Sequence, residues 1–421
     1  MTPRFVARWL VEWRAAVLLG VATIGAYGVV QYAIGVLVPA IGRDTQWSTG
    51  TLAAAFSVGV LLSGPAAVAS GYTLDRIGSR PVLLGALAIG ATLLSASSWS
   101  TAPAAFVVLW GLGAAAVGGG LYYPVTMAAV SRLYPRRRAA ALSVLTLLGA
   151  LASPLFYPLA GALIELLGWR AALRALVAVL VMLALPAALF AGAPGAAAVA
   201  GSVRRAGGWR AVPGALAQID APTGRLLLTL VIASAATSAL MLHHVAALQA
   251  AGLSLAVASG FAGARGLMQI PGRLVLAPAV RVLGLRGSLG GAYVAAVVAA
   301  GALWIALVIG GAWAMAVVFA IAGGFAVGLQ SPLNGLLAAE TYGDARLGTL
   351  SGVAQLLTSL SGAAGAWLGG TLADARGGFA PTFAAIAVVQ VGALVALRWQ
   401  TAAARGAAPA RADGAGPPRG D

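Results

Sequence analysis

The sequence predicts an all-α membrane protein with twelve transmembrane helices in two pseudo-symmetric six-helix halves and both termini on the cytoplasmic side. Three observations carry that expectation: an extreme composition, regularly spaced apolar stretches, and a repeat relating the two halves of the chain. Of 421 residues, 61% are hydrophobic and 9% charged, against about 45–50% and about 25% in soluble domains. A soluble chain this apolar could not cover its own surface, so lipid is the solvent that fits.

A helix needs ~20 apolar residues to cross the hydrocarbon core. Twelve stretches qualify, at roughly 15–40, 50–71, 81–100, 103–131, 139–166, 171–193, 226–250, 254–279, 288–309, 312–339, 347–372 and 380–398. The first is no cleaved signal peptide, being long, without a small-residue cleavage site and followed by further spans. Arginine in the loops orients them. With the N-terminus inside, twenty arginines collect on the inner side, among them Arg4, Arg8, Arg14, Arg132, Arg136 to Arg138, Arg204, Arg205, Arg210, Arg281, Arg286 and Arg346. The outer side holds Arg43, Arg170 and Arg376. The spans divide into an N-terminal bundle, 1–193, and a C-terminal bundle, 226–398. Between them, 194–225 reads as a flexible or amphipathic inner linker, and the low-complexity tail 399–421 reads as disordered.

The halves match at a nearly constant offset. Pro65 and Pro271, Gly78 and Gly284, and Arg80 and Arg286 are each 206 apart. Pro124 and Pro332, Tyr134 and Tyr342, and Arg138 and Arg346 are 208 apart. The segment from Gly161 through Glu165 to Gly168 matches Gly370 through Asp374 to Gly377 at 209. Parallel six-helix repeats about a membrane-normal axis are the architecture of one large class of transporters.

Composition also excludes functions. All 26 basic residues are arginine, so a Walker A loop, which needs its lysine on nucleotide phosphates, is impossible, and with it any sign of an ATP-driven pump in this chain. There is no cysteine, hence no disulfide, iron–sulfur cluster or thiol chemistry. Net charge is +16, but the arginines lie singly or in short runs between apolar stretches, unlike a nucleic-acid patch. No cluster of acids and histidines marks an interfacial enzyme, and two histidines with no acid nearby make no metal site. We therefore expect no enzyme, no cofactor, no metal and no nucleic-acid partner. Abundant Ala, Gly and Arg without Lys points to a GC-rich bacterial genome, and so to a multi-pass protein of the bacterial cytoplasmic membrane, functional as a monomer.

Gly71-Tyr-Thr-Leu-Asp75-Arg76-Ile-Gly78-Ser-Arg80 resembles the loop signature of the major facilitator superfamily, and its second-half echo is degenerate, with Arg281 where the acid would be. Together with the repeat, the resemblance covers the whole chain. Tyr134-Pro-Arg136-Arg137-Arg138-Ala, Gly168-Trp169-Arg170 and Gly272-Arg273-Leu are similar to the monocarboxylate-porter and oxalate/formate-exchanger branch. That resemblance implies a carboxylate-binding arginine at Arg273, although the acid expected one turn earlier is replaced by Gln269 and the first span carries no lysine. The superfamily resemblance implies a gating role for Asp75, Arg76 and Arg80, with Asp75 in a latch that breaks as the halves rock.

The residues themselves point to an anion. Arg265, Gln269 and Arg273 follow i, i+4, i+8 spacing in one span, which places them on one helix face. A charge at membrane depth costs at least ~2.5–3.5 kcal/mol on insertion scales, so these arginines need water, an acid from another helix or an anionic ligand. For Arg273, snorkelling to the headgroups is the competing reading. His243 and His244 are candidates for proton coupling, at most one of them facing a cavity; an interhelical hydrogen bond accounts equally for either. Tyr27, Gln31, Tyr32, Tyr122, Tyr123, Thr126, Ser234, Thr237, Gln330 and Asn334 are polar at cavity depth, and of these we take Tyr27, Gln31, Tyr123 and Asn334 into the expected substrate site. Gly324-x-x-x-Gly328 and Gly365-x-x-x-Gly369 are expected to pack helices. Glu165, Glu340 and Asp374 lie at span ends, and the scarcity of acids at depth disfavours cationic substrates. The expected function is gradient-driven movement of a small organic anion, possibly a carboxylate, by alternating access. A multidrug or hydrophobic-compound exporter is the alternative, disfavoured because span five lacks a Gly-x-x-x-Gly-Pro pattern.

Overall fold

The computed structural model describes residues 3–192, 219–342 and 347–406, and among these no strand occurs. Helix α1 (Pro3–Tyr27) passes through a π-helical turn (Gly28–Ala33) into α2 (Ile34–Thr45). Then follow α3 (Thr49–Ile77), α4 (Ser79–Ser97), α5 (Pro103–Leu121), α6 (Tyr123–Leu133), α7 (Arg138–Gly149) and α8 (Ala152–Phe190). The second half contains α9 (Ala221–Ala250), α10 (Leu255–Leu267), α11 (Gln269–Leu274), α12 (Leu276–Val308), α13 (Ala312–Tyr342), α14 (Leu347–Ala375) and α15 (Ala380–Gly406). Nine stretches among the described residues are long and apolar enough to cross a membrane, by length and composition. One of them, Arg138–Phe190, has 53 residues, more than twice the ~20 that a crossing requires. Gly168, with φ 71° inside α8, kinks the chain into two helical segments.

The sequence repeat is also a backbone repeat. Gly78 and Gly284 both adopt positive φ, 87° and 70°, and Gly168 and Gly377 do the same at 71° and 66°. A side chain is strained in that region, so glycine is what lets each half reverse direction at the same place. Packing repeats as well. Helix α4 lies against α5 as α12 lies against α13, and α1 lies against α8 as α9 lies against α15. Between the halves, α3 packs on α14 and α8 on α10, again an equivalent pair, with α2 against α9.

Prolines place the breaks. The fourth stretch splits at Tyr122, one residue before α6 begins with Pro124 near its N-terminus, where a missing N–H costs nothing. The eighth stretch is not one helix: α10 ends at Leu267, and Pro271 and Pro278 accompany the breaks at Met268 and Val275. Exposed apolar side chains such as Val68, Ile89, Val108, Met182, Trp313, Val388 and Val395 face outward on many helices, the surface lipid requires. Helix α15 runs to Gly406, past the expected tail boundary at 399, through an Ala-rich segment of high helix propensity. The rest of that tail and most of the linker 194–225, with Arg204, Arg205, Arg210, Arg346, Arg411 and Arg419, lie outside the described residues.

Candidate functional site

Near the middle of the bundle one cationic side chain is enclosed by rings from both halves. Arg265, on α10, is 1% exposed, and Tyr157 on α8 and His244 on α9 are 0% exposed. The Arg265 guanidinium carbon stands 6.0 Å from the centroid of Phe319 on α13. His244 lies 5.3 Å from Phe319 and 5.1 Å from Tyr157, whose ring is 5.4 Å from Tyr32 on the π-helical turn. A cation over a desolvated ring is held by the ring quadrupole. Local structure makes the enclosure possible. The π turn re-aims one turn of the first helix where Gln31 and Tyr32 sit, the kind of bulge that recurs at functional sites. A methyl added at Gly323 would lie 3.1 Å from Arg265 Cδ, and one at Gly328 would lie 2.5 Å from the Gln269 carbonyl. Glycines on α13 thus admit the arginine and the broken helix that carries it.

What balances Arg265 is a matter of accounting. The chain has ten acids, and each acid among the described residues is engaged elsewhere. Glu12 meets Arg137, Asp44 meets Arg170 and the Trp169 indole, Asp75 meets Arg132, and Glu340 meets Arg286. Glu165 accepts from the Ala256 amide, Asp220 from the Thr223 amide, and Asp374 from the amides of Thr49 and Gly50. No described carboxylate is left for Arg265. Its Nε and His244 Nε2 are buried without a hydrogen-bond partner, and Tyr157 Oη, which faces the Arg265 guanidinium, makes no hydrogen bond of normal geometry. Buried polar atoms without partners call for an explanation, and here three of them lie on neighbouring side chains contributed by both halves. His244 Nδ1 lies 2.9 Å from the Leu240 carbonyl. A carbonyl oxygen only accepts, so Nδ1 carries the hydrogen and Nε2 is left as an acceptor.

The other expected residues divide between this enclosure and its approaches. Gln269 is buried, with Nε2 3.4 Å from Ser153 Oγ across the halves. Gln31 Nε2 lies 3.2 Å from Met241 Sδ, also across the halves. Arg273 is exposed where Arg265 is buried, and both act electrostatically on Tyr32. Tyr27 stacks on Tyr122 at 3.9 Å and approaches Tyr123 at 5.1 Å, a ring cluster within the first half. Asn334 is half-buried, and its Oδ1 has no partner. His243 turns away from Arg265: its Nε2 lies 2.9 Å from the Ala366 carbonyl and its ring 5.8 Å from Phe379. Arg76 lies over the Tyr72 ring at 4.1 Å, Arg80 is exposed, and Asp75 pairs with Arg132 within its own half. Ser234 and Thr126 make interhelical hydrogen bonds, to the Thr358 carbonyl and with Thr23. Two wall residues were not legible as such. Tyr157 is a polar-tipped ring between Pro154 and Pro158, a signal that could have been used. Phe319 is one apolar residue in an apolar span and carries none.

A buried charged enclosure built from both halves of a two-fold-repeated, multi-pass helical bundle is the design of a membrane transporter. Residues 19–366 match the sequence profile of the Major Facilitator Superfamily, and the chain belongs to that family. No curated relative matches the sequence. Among solved structures, the nucleoside transporter NupG superposes with TM-score 0.77 at 13% identity over 92% of this chain and 98% of that one. A bacterial homolog of the human lysosomal transporter Spinster, in an inward-facing and unoccupied conformation, gives 0.69 at 15% identity over 93% and 97%. A D-xylose-proton symporter gives 0.67 at 14% identity over 92% and 96%. The family and these neighbours are transporters, not enzymes, and alternating access is the mechanism the family implies.

Proposed function

We propose that this transporter carries a small organic anion, with a carboxylate as the group seated on Arg265. The observation that supports the reading is a desolvated arginine, enclosed by Tyr32, Tyr157, His244 and Phe319, with every described acid engaged elsewhere. An anion supplies the missing charge, and its second oxygen or a hydroxyl can meet Tyr157 Oη and His244 Nε2. Arg273, exposed toward the arginine-rich end, draws anions to the approach lined by Tyr27, Tyr123 and Asn334. Of the two histidines we assign proton uptake with the substrate to His244, on the ground of its contacts with Tyr157 and Phe319 beside Arg265. The chain crosses twelve times in two halves, with both termini and the arginine-rich end facing the cytoplasm of a bacterial cell, and it works as a monomer. Asp75, Arg76 and Arg80 act at that cytoplasmic end as the halves rock.

Purified protein in detergent tests the seat. A panel of small carboxylates is expected to raise the thermal midpoint of the wild type in a concentration-dependent way and to leave Arg265→Gln unmoved. A midpoint that responds instead to neutral or cationic hydrophobic compounds favours the second reading, a hydrophobic-compound exporter, for which the aromatic walls are the supporting observation.

A further inference from the structure

At the end of the molecule that carries Asp44 and Arg170, two helix N-termini are each capped twice, once by their own half and once by the other. Ser48 is the N-cap of α3, and its hydroxyl accepts from the Thr51 amide at 3.1 Å. Ser254 is the N-cap of α10 and accepts from the Val257 amide at 3.3 Å. The two serines are 206 positions apart. In each case the serine leaves the first amides of the helix unsatisfied, and a carboxylate from the opposite half takes them. Asp374 at the end of α14 accepts from Thr49 at 2.9 Å through Oδ1 and from Gly50 at 2.7 Å through Oδ2. Glu165 on α8 accepts from Ala256 at 3.0 Å. Glu165 and Asp374 are themselves repeat partners, 209 apart. Both carboxylates also meet the positive end of a helix dipole.

We propose that Glu165 and Asp374 form a pair of symmetry-related latches that hold this end closed and are released when the halves part. Close packing beside each cap makes the contact specific to closure. A methyl at Gly50 would lie 2.7 Å from Thr371 Cγ2, one at Gly370 would lie 2.9 Å from Ala53 Cβ, and one at Gly263 would lie 3.1 Å from Pro158 Cδ. Neither latch needs an opposite charge on the far side, because backbone amides serve. Release is also cheap: the amides and both exposed carboxylates pass to water, and Asp374 already borders an open groove with Ser48, Gly50, Thr51, Trp367 and Thr371. At the opposite end the described ion pairs, Asp75 with Arg132, Glu12 with Arg137 and Arg286 with Glu340, each stay within one half. Among the described residues the cross-half carboxylate contacts are therefore on one side, and they set which end of the cycle is the resting one. Asp374, with two bonds to one for Glu165, is the stronger latch.

The chain has no cysteine, so spin labels can be placed without background. Labels at Thr101→Cys and Ala250→Cys report the latched end; labels at Arg136→Cys and Val282→Cys report the other. In full-length protein in nanodiscs, Glu165→Ala and Asp374→Ala are expected to raise the separated population at the latched end, Asp374→Ala by about tenfold and Glu165→Ala by less, with the double variant close to the product of the two. The other end must approach by a matching fraction. Unchanged distances in the folded double variant overturn the proposal, as does separation at the latched end of folded protein without approach at the other. The proposal rests on alternating access and not on the solute, so its failure leaves the Arg265 seat untouched, and loss of anion binding leaves the latches untouched.

Discussion

The same helix crossing occurs once in each half and does opposite work in the two. In the first half α3 meets α5 through Gly59 and Gly111. A methyl at Gly59 would lie 2.7 Å from Ala114 Cβ, and one at Gly111 would lie 2.5 Å from Val58 Cγ1. In the second half the positions at the repeat offsets of 206 and 208 are Arg265 and Phe319, and there the crossing encloses a charge. Likewise Leu37 and Val38, buried apolar residues of α2, stand where α9 has His243 and His244. The repeat supplies the shape, and departures from it supply the chemistry. The first half contributes neutral hydroxyls and rings, Tyr32 and Tyr157, while the second contributes the cation and the titratable imidazole.

Substitutions can break or sharpen that contrast. The largest effect is expected at Arg265. Losing a buried charge contact costs ~2–5 kcal/mol, so Arg265→Gln should lower anion uptake about 100-fold or more, while the protein stays monodisperse on size exclusion. At the paired positions 319 and 111 the readouts should separate. Phe319→Ala removes one wall of the enclosure and should cut uptake about tenfold. Gly111→Leu overpacks α3 against α5, costs ~1–3 kcal/mol, and should lower the thermal midpoint with substrate affinity intact. The histidines should separate in the same manner. His244→Phe should abolish any stimulation of uptake by an inward proton gradient. His243→Phe leaves the Ala366 carbonyl without its donor, costs ~1–3 kcal/mol of stability, and should leave the pH response in place. The smallest effect is expected for Asp75→Asn, a few-fold drop in uptake with normal expression.

Much of the architecture was legible in the sequence because lipid imposes simple rules: length and apolarity mark the spans, and glycine marks the turns that need positive φ. The pairs Gly78 with Gly284 and Gly168 with Gly377 carried the repeat in one dimension before the backbone repeated it in three. The site was legible only in part. Arg265 stands out as a charge at depth, but the interruptions at Met268 and Val275 in the span it shares with Gln269 and Arg273 are not read from apolar length. That His244 and not His243 faces the arginine depends on rotation about α9, which an almost wholly apolar span does not reveal by periodicity. Phe319 belongs to the enclosure by tertiary packing alone, whereas Tyr157 between two prolines left a signal in the sequence. The carboxylate caps were visible only as acids at span ends, since their partners are backbone amides, which have no sequence signature.

The most direct test of the central claim compares each carboxylate with its own amide in proteoliposomes containing wild-type protein, with and without an imposed pH gradient. The pairs match in size and shape and differ in charge. Saturable uptake of the carboxylates, with the amides neither transported nor competing, is the predicted result. Equal transport of carboxylate and amide, or transport of the amide alone, would contradict an anion seat at Arg265.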